Sequence, residues 1–338
     1  MSGTNRFDDG PALTTSVHIL CAGDHVSLGD LSNSSFASVR VRLAPAAEAA
    51  QKLKLNLTAG DDIPLNTDIV LVGKLFAHQI DERRPKWTDQ LNDFSNCGGS
   101  IIVDYTDHHL AIPSPQSPFY SDIMGITDRI TVASQAMKEM LQAQYDVPIH
   151  LIEDRLDFDP LAPKRPEDFS KTALWFGQRT NLKTLSRLIE VWPEYAYTKT
   201  LLVVGGATDD ALLRKYLSGK TVRIDLQFMP WSIATLLLAA RRADVAVIPS
   251  SLRSHKQFAS SNRLVTSLTL GLPTVATPVP SYVEFKDCFA EFGTPHSEAV
   301  FKDPSEGASG VLRFQQNYMQ RFSHHGVVEA WKAVLAKC

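Results

Sequence analysis

The segment Ser260-Ser261-Asn262-Arg263 carries residue types and spacing that suit anion binding, with the apolar run Leu264 to Leu270 directly behind it. Ser and Asn are helix-capping residues, and Gly271 with Pro273 stops the helix they would start. Immediately upstream, Ala243 to Ser250 (ADVAVIPS) reads as a buried strand. A helix opening at the carboxyl side of such a strand presents main-chain N–H groups without helical partners, together with the positive end of its dipole. Phosphate or diphosphate is the chemistry this arrangement suits. Arg263 lies in the first turn, where a cation opposes the dipole and needs compensation. It is therefore assigned to a ligand, with Lys256 as the second cation.

A second group follows another apolar run. Ser100 to Val103 leads into Asp104-Tyr105-Thr106-Asp107-His108-His109, which puts two carboxylates and two histidines at a strand end. Asp104 or Asp107 could serve as general base towards a hydroxyl. The Asp-x-x-Asp-His-His spacing could also hold a metal ion, and no metal is assigned to it. Gly177, Gln178, Arg179 and Asn181 follow the run Ala173 to Phe176, and Gly205 closes Thr200 to Val204. Met229 and Trp231 flank Pro230, where the indole could stack on a nucleobase or fill the core. Asn33, Ser34 and Arg40 follow the first apolar run, Val17 to Leu20, and are assigned to an acceptor. The glycine pattern there is not GxGxxG, so no dinucleotide fingerprint is present.

These groups need elements to hold them. Apolar runs at 17–20, 68–73, 100–104 and 129–133 read as strands, and 45–57 and 134–145 as helices, with Ser134 a cap. The stretch 157–168 (DFDPLAPKRPED) is rich in proline and charge and reads as a linker. Beyond it, strands at 173–177, 200–205, 222–228, 245–249 and 274–277 alternate with helices at 182–190, 209–216, 233–241 and 262–270. A helical pattern broken by a turn at 323–326 ends the chain. Such alternation implies parallel sheets of βαβ units. Ligands bind these sheets at the carboxyl ends of the strands.

With 338 residues, 44% hydrophobic and 21% charged, the chain is long enough for two globular domains. A net charge of -3 gives no electrostatic reason to expect nucleic acid. Four scattered cysteines without a CxxC pair form neither a zinc ribbon nor a disulfide framework, which points to a reducing cytoplasm. No apolar run approaches the roughly 20 residues of a membrane span. Arg83, Arg84 and Lys86 beside Trp87 leave peripheral contact with anionic lipid open.

The ADVAVIPS strand, the capped helix and the segment GLPTVATPVPSYVE resemble the donor-binding domain of GT-B glycosyltransferases. The likeness is to the retaining family 4 type that includes lipopolysaccharide and capsule enzymes. Residues 172–285 carry it, with LWFGQRTNLKTL matching the first donor-domain strand and its phosphate-contacting loop. The resemblance implies an α/β, GT-B architecture of two Rossmann-like domains facing each other across a cleft. An acceptor domain at 1–160 would be completed by a C-terminal helix at about 313–338, with a donor domain at 161–312. The implied activity is transfer of a sugar from a nucleotide-sugar donor to a hydroxyl of a glycan, glycolipid or small acceptor. It implies retention and neither metal nor cofactor, in the cytoplasm or at the inner face of the membrane. Gly177, Gln178, Arg179, Asn181, Gly205, Met229, Trp231, Lys256, Ser260, Ser261, Asn262 and Leu264 would hold the donor. Asp104, Asp107, His108, His109 and Arg263 would carry the chemistry, and Glu284 would reach the site. The family's usual glutamate pair is replaced by Phe258 and Thr266. Two alternatives share the shape: a nucleotide-sugar epimerase, and a non-catalytic relative that binds nucleotide or a partner.

Overall fold

The computed structural model describes residues 15–22, 27–34, 36–75, 77–111, 113–252 and 258–336. Two six-stranded sheets organise them. The first holds β1 (Ser16–Leu20), β2 (Asn56–Gly60), β3 (Ile69–Val72), β4 (Ser100–Asp104), β5 (Arg129–Val132) and β6 (Ile149–Leu151), in the order β2-β1-β3-β4-β5-β6. Around these strands in the chain come α1 (Leu28–Ser32), α2 (Ala44–Lys52), α3 (Ala77–Asn96), α4 (Ser117–Ile123) and α5 (Gln135–Gln142). The second sheet holds β7 (Thr172–Phe176), β8 (Thr200–Gly205), β9 (Asp225–Pro230), β10 (Val245–Ile248), β11 (Thr274–Ala276) and β12 (Ala290–Glu291). Its order is β12-β11-β10-β7-β8-β9 and its pairings are parallel. Its helices are α6 (Leu182–Glu190), α7 (Asp209–Leu217), α8 (Ile233–Arg242), α9 (Asn262–Thr269), α10 (Pro295–Lys302) and α11 (Ala308–Asn317), and α12 (His324–Leu335) ends the chain. The architecture is GT-B, with two Rossmann-like sheets.

The residues group into two compact units: Met1–Tyr105 with Pro113–Thr131 and Val328–Cys338, and Thr106–Ile112 with Val132–Val327. In the second, alternation along the strands sorts side chains to opposite faces. Ala173 and Trp175 of β7 pack with Leu182, Leu185 and Ile189 of α6. Leu174 and Phe176 pack with Leu236, Ala239 and Ala240 of α8. The proline-rich stretch is bound rather than free: Leu161 N donates to Thr269 O at 2.8 Å, and Gln315 Nε2 donates to Leu161 O at 2.9 Å. Gly271 closes α9 with φ +74°, and a Cβ there would stand 2.5 Å from Ala162 O, so both backbone and space require glycine.

Two segments depart from the sequence expectation. The helix expected over 45–57 ends at Lys52, because Lys54 takes φ 60° and turns the chain into β2. The strand expected over 222–228 is shifted to Asp225–Pro230, paired residue for residue with β8. In the basic cluster near Trp87, Arg83 and Lys86 pair with Asp61, Arg84 pairs with Asp122, and the Trp87 ring is fully buried. No helix among the described residues is long and apolar enough to cross a membrane.

His18 on β1 is buried, with Nδ1 2.8 Å from Thr58 Oγ1 and Nε2 3.2 Å from Gly60 O. Burial pushes its pKa below the ordinary 6.5, against a smaller upward pull from the Gly60 carbonyl. The unfolded chain therefore binds this proton first, so the stability contribution is intact above pH 6.5 and is lost as pH falls below it. Thermal melts between about pH 7.5 and about pH 5.5 should show the melting temperature falling with acidity, and less steeply in His18→Gln. Equal slopes would exclude His18 as a source.

Candidate functional site

In the second sheet the chain order reverses between β7 and β10, which makes their carboxyl ends the topological switch point where open α/β sheets bind ligands. The two strands pair only at Val245 with Ala173 and Ala246 with Leu174, so their carboxyl halves are not paired to each other. Arg263, in the first turn of α9, bridges those ends. Its Nη2 donates to Ser250 Oγ beyond β10 at 2.9 Å. A Cβ on Gly177, beyond β7, would stand 3.4 Å from its Nη1. Burial raises the pKa of the Tyr282 hydroxyl, against a smaller downward pull from the positive charge of Arg263. Nη1 itself is buried and has no hydrogen-bond partner among the described residues. A buried cationic N–H left in that state costs free energy unless a ligand accepts from it.

The start of α9 is built differently from the sequence expectation. Ser261 is the residue before the helix and makes no side-chain cap; its hydroxyl is buried without a partner among the described residues. Ser260 Oγ accepts from Asn262 N at 3.0 Å and donates to Asp154 Oδ2 at 2.5 Å. Asn262 Nδ2 donates to the same carboxylate oxygen at 3.2 Å. The Ser260 and Asn262 side chains thus hold an internal anion. Leu264 is fully buried, which leaves only its main chain for a ligand. Phe258 is held from the side, its carbonyl accepting from Ser134 Oγ at 2.6 Å and its ring edge-on to His108 at 6.0 Å. Thr266 donates to Asn262 Oδ1 at 2.9 Å.

The remaining expected residues divide by place. Gln178 and Arg179 are exposed; Arg179 Nη1 stands 3.4 Å from Thr208 Oγ1. Asn181 is half-buried, and its carbonyl accepts from Thr184 Oγ1 at 2.7 Å. At Gly205 the turn is closed by Asp209, which accepts from Gly206 N at 2.8 Å and would crowd a Cβ on Gly205 at 3.0 Å. Met229 is half-buried, while Trp231 is 41% exposed beyond the edge strand β9, with its N–H donating to Gly205 O at 2.7 Å. His108 and His109 are buried and Asp107 is half-buried. Asn33, Ser34 and Arg40 form a local knot, in which Arg40 Nη1 donates to Ser34 O at 2.9 Å and Asn33 Nδ2 to Gly29 O at 3.0 Å. Glu284 pairs with Arg321, which also binds Glu153 at 2.8 Å. Lys256 lies outside the described residues. Among the described residues no cluster could hold a metal ion. Asp154, Ser250 and Tyr282 were not legible as site residues; only folding brings them to α9.

Asp104 does not fit the role of general base. Its carboxylate accepts from Arg42 Nε at 2.8 Å, Arg42 Nη2 at 2.6 Å and Thr131 Oγ1 at 2.7 Å, and both ion-pair partners are 1% exposed. It is shut off from solvent and held as the partner of a buried guanidinium.

Comparison with known proteins bears on the second unit. A family model described as glycosyl transferases group 1 matches residues 170–316. This stretch is a glycosyltransferase domain. It contains the whole switch-point arrangement, from Gly177 through Arg263 to Tyr282. No curated protein sequence matches the chain significantly. Among solved structures, the chain is similar to Anabaena Alr3699/HepE in complex with UDP, at TM-score 0.61 and 12% identity over 96% of this chain and 100% of that one. The lipopolysaccharide outer core galactosyltransferase WaaB gives TM-score 0.53 and 12% identity over 96% and 100%. The GtfA/B complex gives TM-score 0.50 and 14% identity over 80% of this chain; the chain spans 57% of the length of that one. These likenesses place the glycosyltransferase domain within a GT-B fold that runs the length of the chain.

Breaking the buried Arg42–Asp104 pair should be costly, because the remaining charge stays uncompensated. Asp104→Ala is expected to lower unfolding stability by about 3–5 kcal/mol in urea denaturation. A loss under about 1 kcal/mol would contradict the assignment of Asp104 to structure.

Proposed function

We propose that the chain transfers a sugar from a nucleotide-sugar donor to a hydroxyl acceptor, and that Arg263 binds the donor's diphosphate. The supporting observation is the buried, unpartnered Nη1 at the switch point of the glycosyltransferase domain. As the bond between the sugar's anomeric carbon and the diphosphate breaks, negative charge grows on the departing oxygen. A preorganised guanidinium beside it stabilises that charge in the transition state more than in the bound donor. The Ser261 hydroxyl and the main-chain amides of Arg263 and Leu264 add donors at the start of the same helix.

The acceptor hydroxyl forms the new bond to the anomeric carbon and must release a proton. With Asp104 committed to Arg42, the departing phosphate oxygen is the base we assign, which goes with retention of configuration and needs no metal ion. His108, edge-on to Phe258, and its neighbour His109 are assigned to the sugar. Trp231 is assigned to the base of the nucleotide. A glycan or lipid-linked hydroxyl is the acceptor class.

Titration calorimetry with uridine diphosphate and other nucleoside diphosphates tests the anion assignment. Arg263→Ala should weaken binding by about 10–100-fold, the span of a lost hydrogen bond to a charged group. Unchanged affinity would refute it. Incubation of the wild-type protein with nucleotide sugar, with and without an acceptor panel, tests the reaction. Acceptor-dependent release of nucleotide is expected. An isomerised sugar without acceptor would indicate epimerisation, and tight binding without turnover a non-catalytic role.

A further inference from the structure

At the start of α9 the hydroxyl of Ser261, the residue before the helix, makes no cap, and Ser260 Oγ accepts from Asn262 N instead. Phe258, Ser260 and Asn262 are also held from another part of the chain. Asp154, 106 residues before Ser260, accepts through Oδ2 from Ser260 Oγ and Asn262 Nδ2. Ser134, itself the cap of α5 through Met137 N, donates to Phe258 O. Asp154 is the residue next to Glu153, which Arg321 holds at 2.8 Å. The segment leaving β6 therefore has an anchor of its own.

From this geometry we infer that Asp154 is a positioning residue for the anion site, a reading that rests on the function proposed above. Its carboxylate fixes Ser260 and Asn262, and with them the register in which α9 begins. That register carries Arg263 to Ser250 and Gly177. A negative charge near a helix N-terminus is also favoured by the dipole. Ser260 Oγ takes the Asn262 amide, while the Ser261 hydroxyl, buried without a partner among the described residues, stays available to a ligand.

Three variants separate this from a general loss of stability. Asp154→Ala removes both acceptor contacts, Asp154→Asn keeps one carbonyl acceptor for Ser260, and Ser260→Ala breaks the link from the other side. Hydrogen exchange without ligand reads the register directly, because Val265 N donates to Ser261 O at 3.0 Å. In Asp154→Ala the amides of residues 265–268 should exchange about tenfold faster, while those of α6 and α8 keep their protection. The kcat/KM for the nucleotide sugar should fall about tenfold, with a lowered kcat contributing, since Arg263 favours the transition state over the bound donor. Asp154→Asn should recover part of both effects, and Ser260→Ala should reproduce them. Unchanged α9 exchange, or faster exchange spread evenly over the unit, would overturn the inference. A wild-type protein that binds no uridine diphosphate would instead refute the functional reading, and the exchange data alone would then decide the role of Asp154.

Discussion

The site depends on where one guanidinium is held. Arg263 emerges from the first turn of α9, where the helix dipole disfavours a cation, and spans the ends of the two strands that part at the switch point. Only part of its hydrogen-bonding capacity is met there, by Ser250. The sheet supplies the gap and the helix supplies the charge. The parallel topology explains why both arrive at the same edge.

Several carboxylates are committed to internal partners: Asp104 to Arg42 in the first unit, and Asp154 to Ser260 and Glu284 to Arg321 in the second. Buried pairs of this kind contribute little net stability but are costly to break. Their effect is to fix arrangement, which is what an anion site built from hydrogen-bond donors requires.

Much of the fold was legible because the buried strands read as short apolar runs. VHIL, IIVD, TLLVVG and VAVI all lie in strands. β2 was not, since NLTAG is polar, alternates in burial and sits at a sheet edge. The end of α2 was missed because a lysine, not a glycine, takes the left-handed conformation. At the site, the helix start and Arg263 were legible from capping residues and strand ends. The partner of Asp104 was not, because Arg42 lies 62 residues away in the chain. Asp154 gives no local signal at all; its role exists only once β6 has brought it to α9.

The most direct measurement is a crystal structure of the protein with uridine diphosphate bound. Diphosphate oxygens should lie within hydrogen-bonding distance of Arg263 Nη1 and Ser261 Oγ, between the ends of β7 and β10, with Asp154 still on Ser260 and Asn262. A nucleotide bound away from the switch point, with Nη1 still unpaired, would contradict the account.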